Sequence, residues 1–83
     1  MSLQTLDQSI NNTVSEAIAK VIPDAQIEVT GQGGHFSISV TAPFFEGLNM
    51  LKSQQAVLQS IKHLMAGANP PVHAIDKLIT KAS

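Results

Sequence analysis

The residues in this sequence best suited to chemistry are two histidines, each at the head of a predicted strand. His35 opens His35-Phe36-Ser37-Ile38-Ser39-Val40, and His73 opens His73-Ala74-Ile75. Imidazole is the commonest metal ligand and the side chain most easily switched near neutral pH. Two imidazoles cannot complete a four-ligand centre, and the sequence contains no cysteine. Any thiolate that a metal requires here must come from another molecule. The plainer alternative is a pair of strand-edge histidines bonded to backbone.

Other candidate chemistry is thin. Ser37 and Ser39 have no acid–base partner at a useful spacing. Asp7, Glu16, Asp24, Glu28, Glu46 and Asp76 are scattered, and no pair points to general acid–base work. Gly31-Gln32-Gly33-Gly34 lies between two strands, whereas a dinucleotide fingerprint lies between a strand and a helix. The same four residues spell the GxxG loop that clamps nucleic-acid backbone, but a turn supplied with positive φ by glycine is the favoured reading. Met50 and Met65 fit a core better than a ligand set. Phe44 and Phe45 fit a hydrophobic plug, and either one, if exposed, could anchor a partner.

Composition bounds the function further. The 83 residues suffice for one small domain over 1–83. Hydrophobic residues make up 43% of the chain, which places it among globular rather than disordered sequences. The net charge is −1, and the five basic residues are all lysines spread along the chain. Phosphate-backbone binding wants clustered positive charge, and base readout most often uses arginine, so nucleic acid is disfavoured. No basic segment precedes an apolar run at the N-terminus, so no secretory leader is expected. No apolar run reaches the length of a membrane span. A cysteine-free domain of this size fits the cytoplasm. Asn11-Asn12-Thr13 matches the glycosylation pattern by chance in that setting.

Hydrophobic spacing sets the elements that must position the histidines. Leu3, Leu6, Ile10, Val14, Ala17, Ile18 and Val21 form one helical stripe, so a helix is predicted from Leu3 to about Ile22. Ser2 is its expected N-cap, and Pro23 ends it. Gln26 to Thr30 alternates as a strand, Gly31 to Gly34 forms a turn, and His35 to Thr41 alternates again, giving a hairpin. After Ala42-Pro43 and the turn Phe44-Phe45-Glu46-Gly47, a second helix is expected from about Asn49 to Ala66. Its apolar face comprises Met50, Leu51, Val57, Leu58, Ile61, Leu64 and Met65. Gln54 falls on that face and needs a hydrogen-bond partner if buried. His63 projects to the opposite side, and Gly67 fits the helix C′ position. Asn69-Pro70-Pro71 then leads to a third strand from Val72 to about Thr80, with a loose tail beyond. The predicted order is helix, strand, strand, helix, strand: an α/β (α+β) domain with a three-stranded mixed sheet covered on one face by helices. The second strand, second helix and third strand make a βαβ unit, whose strands should be parallel. Parallel strands start at one sheet edge, so His35 and His73 are expected there together.

Gly34-His35-Phe36, Phe45-Glu46-Gly47-Leu48, Leu51-Lys52-Ser53-Gln54-Gln55-Ala56-Val57 and Val72-His73-Ala74-Ile75 together resemble the BolA family, in order and in separation. The resemblance runs from Leu3 to about Ile75, and the family's fold is related to the second class of KH domains. It implies an adaptor rather than an enzyme, one that pairs with a monothiol glutaredoxin and shares a [2Fe–2S] cluster. In that arrangement glutaredoxin and glutathione supply thiolates and the BolA-like partner supplies histidine. The family's C-terminal histidine matches His73, and His35 is the nearest match to a second ligand. The resemblance also implies partner-binding residues at Gly33, Gly34, Phe45, Lys52, Gln54 and Gln55. The chain departs from the family where Ser53 replaces a usual basic residue and at Ile75-Asp76-Lys77-Leu78. It also lacks a Thr-Pro-Glu-Glu-Trp-like segment after the third strand. Two other functions stay open: a KH-like nucleic-acid-binding transcriptional regulator, and a protein-interaction module that holds no cluster. A homodimer stays open as well.

Overall fold

The computed structural model describes residues 6–68 and 70–83 of the chain. The expected helix start at Leu3 and its cap Ser2 lie outside these residues, as does Asn69. The order of elements is α1 (Leu6–Val21), β1 (Gln26–Gln32), β2 (His35–Thr41), α2 (Met50–Ser60) and β3 (Ala74–Lys81). The sheet order is β1-β2-β3, with β1 antiparallel and β3 parallel to β2. The expected α+β domain with a mixed three-stranded sheet is therefore the observed one.

The core follows from the alternation of β2. Phe36, Ile38 and Val40 are buried on one face, against Val14, Ala17, Ile18 and Ile22 from α1 and Val57 and Ile61 from the α2 segment. Each of these Val, Ile and Phe side chains contributes about 1.5–3 kcal/mol of transfer free energy on burial. Val21, placed in the buried stripe by its spacing, is exposed. Ile22, one residue past the helix end, is buried instead. The Ile22 amide still donates to the Ile18 carbonyl, at 2.9 Å, before Pro23 stops the helix.

The second helix needs two corrections. It ends at Ser60 rather than Ala66, because Ile61 leaves the α region (φ −116, ψ 10) and a 3₁₀ turn follows at Lys62–Leu64. Gly67 therefore lies well beyond the C′ position of α2. The buried stripe is also rotated from the expected one. Ser53, Val57, Ser60 and Ile61 face the core, while Met50, Leu51 and Leu58 are exposed. Small serines on the inner stripe suit a close approach to α1, where Ala17 and Ser60 line the same groove between the helices. The Ser60 hydroxyl is satisfied by donating to the Val57 carbonyl. The start is as expected: Asn49 caps the helix, its Oδ1 accepting from the Lys52 amide at 2.8 Å.

The third strand begins later and ends later than predicted. Val72 is buried, but its amide bonds to the Leu64 carbonyl at 3.2 Å rather than to the sheet. Pairing then runs to Lys81, opposite Thr41, so residues 80 and 81 belong to the sheet and not to a loose tail. A β-bulge falls where the sequence departs from the family pattern, at Ile75-Asp76-Lys77-Leu78. Phe36 pairs with Ile75, Ser37 pairs with Lys77, and Asp76 is the extra residue between them. The bulge lets Ile75 and Leu78, three apart in sequence, both pack against the core.

Candidate functional site

The site is built on the β1–β2 turn. Strand β1 runs through Gln32, opposite His35, so the loop is only Gly33-Gly34. Both glycines have positive φ, +64 and +83, as a two-residue type I′ hairpin requires. Gly31, expected in the turn, instead pairs with Phe36 in the ladder. The four residues are thus a tight hairpin and not an open backbone clamp.

This turn anchors both histidines. The Gly34 carbonyl accepts from the His73 amide at 2.8 Å and from the Ala74 amide at 3.0 Å. His35 is the Cα partner of Ala74. The two histidines therefore begin neighbouring parallel strands at one sheet edge, as the βαβ argument required. His73 stands one residue ahead of β3, held by main-chain bonds rather than by the ladder. Its ring lies over Gly34, where a Cβ would sit 2.9 Å from the His73 Cγ and nearer still to Cδ2. Only glycine fits beneath it.

His35 has a different neighbour. Its Nδ1 lies 3.3 Å from Oδ1 of Asp76, and both side chains are 59% exposed. Asp76 is the bulged residue, between the pairs Phe36–Ile75 and Ser37–Lys77, and its carboxylate lies at the start of β2. Sequence reasoning did not assign Asp76 to this edge. The available signal was the Ile75–Leu78 spacing, which a regular strand cannot place on one face.

The remaining predicted residues divide. Gly33 is exposed, and Gly34 is covered by His73. Phe45, expected on a partner-facing surface, is buried at 3% exposure, whereas Phe44 is exposed. Their rings meet edge to face at 5.8 Å; the 3₁₀ turn at Pro43–Phe45 sends successive side chains to different sides. Gln54 is half-buried, and its amide donates to the Leu78 carbonyl at 3.2 Å, which satisfies the need its position created. Lys52 and Gln55 are exposed. They are not beside the histidines. The chain enters α2 after the far end of β2, and Gln54 already lies level with Leu78 in mid-strand. Lys52 is farther still from the histidine edge. The apolar side chains left exposed around α2 are Phe44, Leu48, Met50, Leu51 and Leu58.

The edge gathers two imidazoles and no further ligand set among the described residues. Both imidazoles are exposed and share an edge. Among the described residues, no three His, Cys, Asp or Glu side chains gather closely enough to hold a metal ion. The edge can offer nitrogen ligands to a metal held mainly elsewhere, but it cannot enclose one. No described helix is long and apolar enough to cross a membrane.

The comparisons with known proteins agree with this architecture. The family model described as BolA-like protein matches residues 2–82. An uncharacterised protein of Buchnera aphidicola subsp. Baizongia pistaciae is 31% identical over 67 residues, covering 81% of this chain and 82% of the relative. The acid stress protein IbaG of Escherichia coli K12 is 25% identical over 65 residues, covering 78% and 75%. Among solved structures, BolA1 from Arabidopsis thaliana aligns with a TM-score of 0.72 at 16% identity, covering 87% of this chain and 89% of that one.

Proposed function

The chain belongs to the BolA-like family, and we propose that it is an adaptor that pairs with a monothiol glutaredoxin and contributes histidine ligation to a shared [2Fe–2S] cluster. The observation that carries this reading is the sheet edge. It presents His35 and His73 on adjacent strand starts, in a chain with no thiol and, among the described residues, no complete ligand set. Such an edge makes chemical sense as half of a site. Glutaredoxin and glutathione supply thiolates, and the cluster is the cargo passed between the partners. His73 is the principal ligand, because its backbone is fixed by the Gly34 carbonyl and its ring by the Gly34 surface. His35 is the second. Neutral imidazole in place of thiolate changes the cluster's charge and raises its potential.

The role is that of an adaptor rather than an enzyme, in the cytoplasm, within iron–sulfur trafficking or iron regulation. Similarity to a relative named for acid stress supports a place in a stress response. The exposed apolar side chains Phe44, Leu48, Met50, Leu51 and Leu58, with Lys52 and Gln55 beside them, are surface that a protein partner can cover.

The test mixes the protein with cluster-loaded monothiol glutaredoxin and follows visible circular dichroism and size. The expected result is a heterodimer with an altered cluster spectrum, lost in His73→Ala and weakened in His35→Ala. An unchanged spectrum with no heterodimer contradicts the reading. Heterodimer formation without spectral change leaves a cluster-free interaction module in its place.

A further inference from the structure

We infer that Asp76 is a positioning residue for His35: its carboxylate accepts the Nδ1 proton and leaves Nε2 as the nitrogen free to bind metal. This inference rests on the proposed function for its use, though the hydrogen bond itself does not.

Three observations support it. The first is the contact, His35 Nδ1 to Asp76 Oδ1 at 3.3 Å. An ionised carboxylate only accepts, so a hydrogen bond across this contact places the hydrogen on Nδ1. A neutral imidazole carrying its proton on Nδ1 has its lone pair on Nε2. Metal-ligating histidines are almost always oriented in this way, with the non-ligating N–H given to a carboxylate or carbonyl.

The second is the bulge. Bulges are rare between parallel strands and concentrate beside functional sites, where they re-aim a side chain. Here the register breaks between Phe36 and Ser37, immediately after His35, and the inserted residue is Asp76 itself. In a regular strand the residue after Ile75 would pair with Ser37; Lys77 holds that place instead. The insertion sets Asp76 apart from the ladder pairs, and its carboxylate meets the His35 ring there.

The third is the backbone support on both sides of the contact. His35 is fixed as the residue closing the Gly33-Gly34 hairpin, opposite Gln32. Asp76 is fixed by ladder pairs on either side, Ile75 with Phe36 and Lys77 with Ser37. Two exposed side chains on loose loops would lose entropy in meeting, whereas here both main chains are already held in one sheet. The contact therefore orients a ring instead of strengthening the fold.

The experiment has two arms. In the first, the isolated protein is labelled with ¹⁵N-histidine, and the ring nitrogens are assigned by NMR well above the ordinary imidazole titration range. Wild type is expected to show His35 with a protonated Nδ1 and an unprotonated Nε2. Asp76→Ala removes the acceptor and should shift His35 toward the opposite tautomer; Asp76→Asn, whose amide can donate to Nδ1 as well as accept from it, should lose the single-tautomer preference. Identical His35 nitrogen signals in wild type and Asp76→Ala overturn the inference. In the second arm, each variant is titrated into cluster-loaded monothiol glutaredoxin. Asp76→Ala should need about tenfold more protein for the half-maximal spectral change, the lower end of the range for losing a ligand's supporting partner, and should match His35→Ala. A wild-type protein that leaves the cluster spectrum unchanged refutes the proposed function, and the NMR arm still decides the tautomer. A wild-type response with Asp76→Ala indistinguishable from it refutes the positioning role alone.

Discussion

Replacing Gly34 by alanine tests how the hairpin holds His73. Gly33 and Gly34 both have positive φ, +64 and +83, a region that costs an L-residue roughly 1–2 kcal/mol. Gly33→Ala and Gly34→Ala share that backbone cost. They differ in what the new methyl group meets. At position 33 it meets nothing within 4 Å; at position 34 it falls on the His73 ring, 2.9 Å from Cγ and 3.2 Å from Cβ. Carbon atoms pack comfortably at about 3.5–4.0 Å, so the ring must retreat by roughly 0.5–1 Å or more. A ligand has to be held within about 0.5 Å of its working position. Each kcal/mol shifts the melting temperature of a domain this size by about 4–8 °C. Both variants should therefore melt about 4–16 °C below wild type. Only Gly34→Ala should move the His73 ring resonances and abolish the spectral change with cluster-loaded glutaredoxin. Thermal melts, histidine ring NMR and visible circular dichroism provide the three readouts. Unchanged His73 resonances and an unchanged cluster spectrum in Gly34→Ala would refute the reasoning, as would an equal loss of the spectrum in Gly33→Ala.

Other outcomes follow from the packing. Val57→Ala removes a fully buried side chain and should cost about 2–3 kcal/mol in urea unfolding. Leu51→Ala, on the exposed side of α2, should stay within about 0.5 kcal/mol; the reverse ranking would restore the expected helix phase. Asn49→Ala removes the Oδ1 that caps the Lys52 amide and should cost about 1 kcal/mol by the same measurement. Gln54→Ala frees the Leu78 carbonyl, with an expected loss of about 1 kcal/mol and faster amide exchange in β3.

Much of the fold was legible because its signals are local and periodic. The alternation of β2 and the βαβ order placed His35 and His73 at one edge with no coordinates needed. The misreadings have equally local causes. At about 100° per residue, two stripes about 140° apart compete on α2, one through Leu51 and Leu58 and one through Ser53, Val57 and Ser60. Hydrophobicity favours the first, but the close approach of α1 favours small side chains and selects the second. Phe44 and Phe45 could not be told apart, because a 3₁₀ turn decides which ring turns inward. Gln54 was marked correctly as needing a partner, though the Leu78 carbonyl is a long-range neighbour that no local pattern names. In the sequence Asp76 stands out only within the departure from the family pattern at Ile75-Asp76-Lys77-Leu78. The Ile75–Leu78 spacing contained the bulge, but reading it required knowing that both side chains face the core.

The central claim is that nitrogen from this chain ligates the shared cluster, and pulsed EPR tests it most directly. The protein is labelled with ¹⁵N-histidine, combined with unlabelled cluster-loaded monothiol glutaredoxin and glutathione, and reduced. The account predicts ¹⁵N hyperfine coupling of the strength expected for a directly bound imidazole, absent in His73→Ala. A spectrum in which the reduced cluster shows no coupling to ¹⁵N from the labelled chain, while the heterodimer is intact, would contradict it.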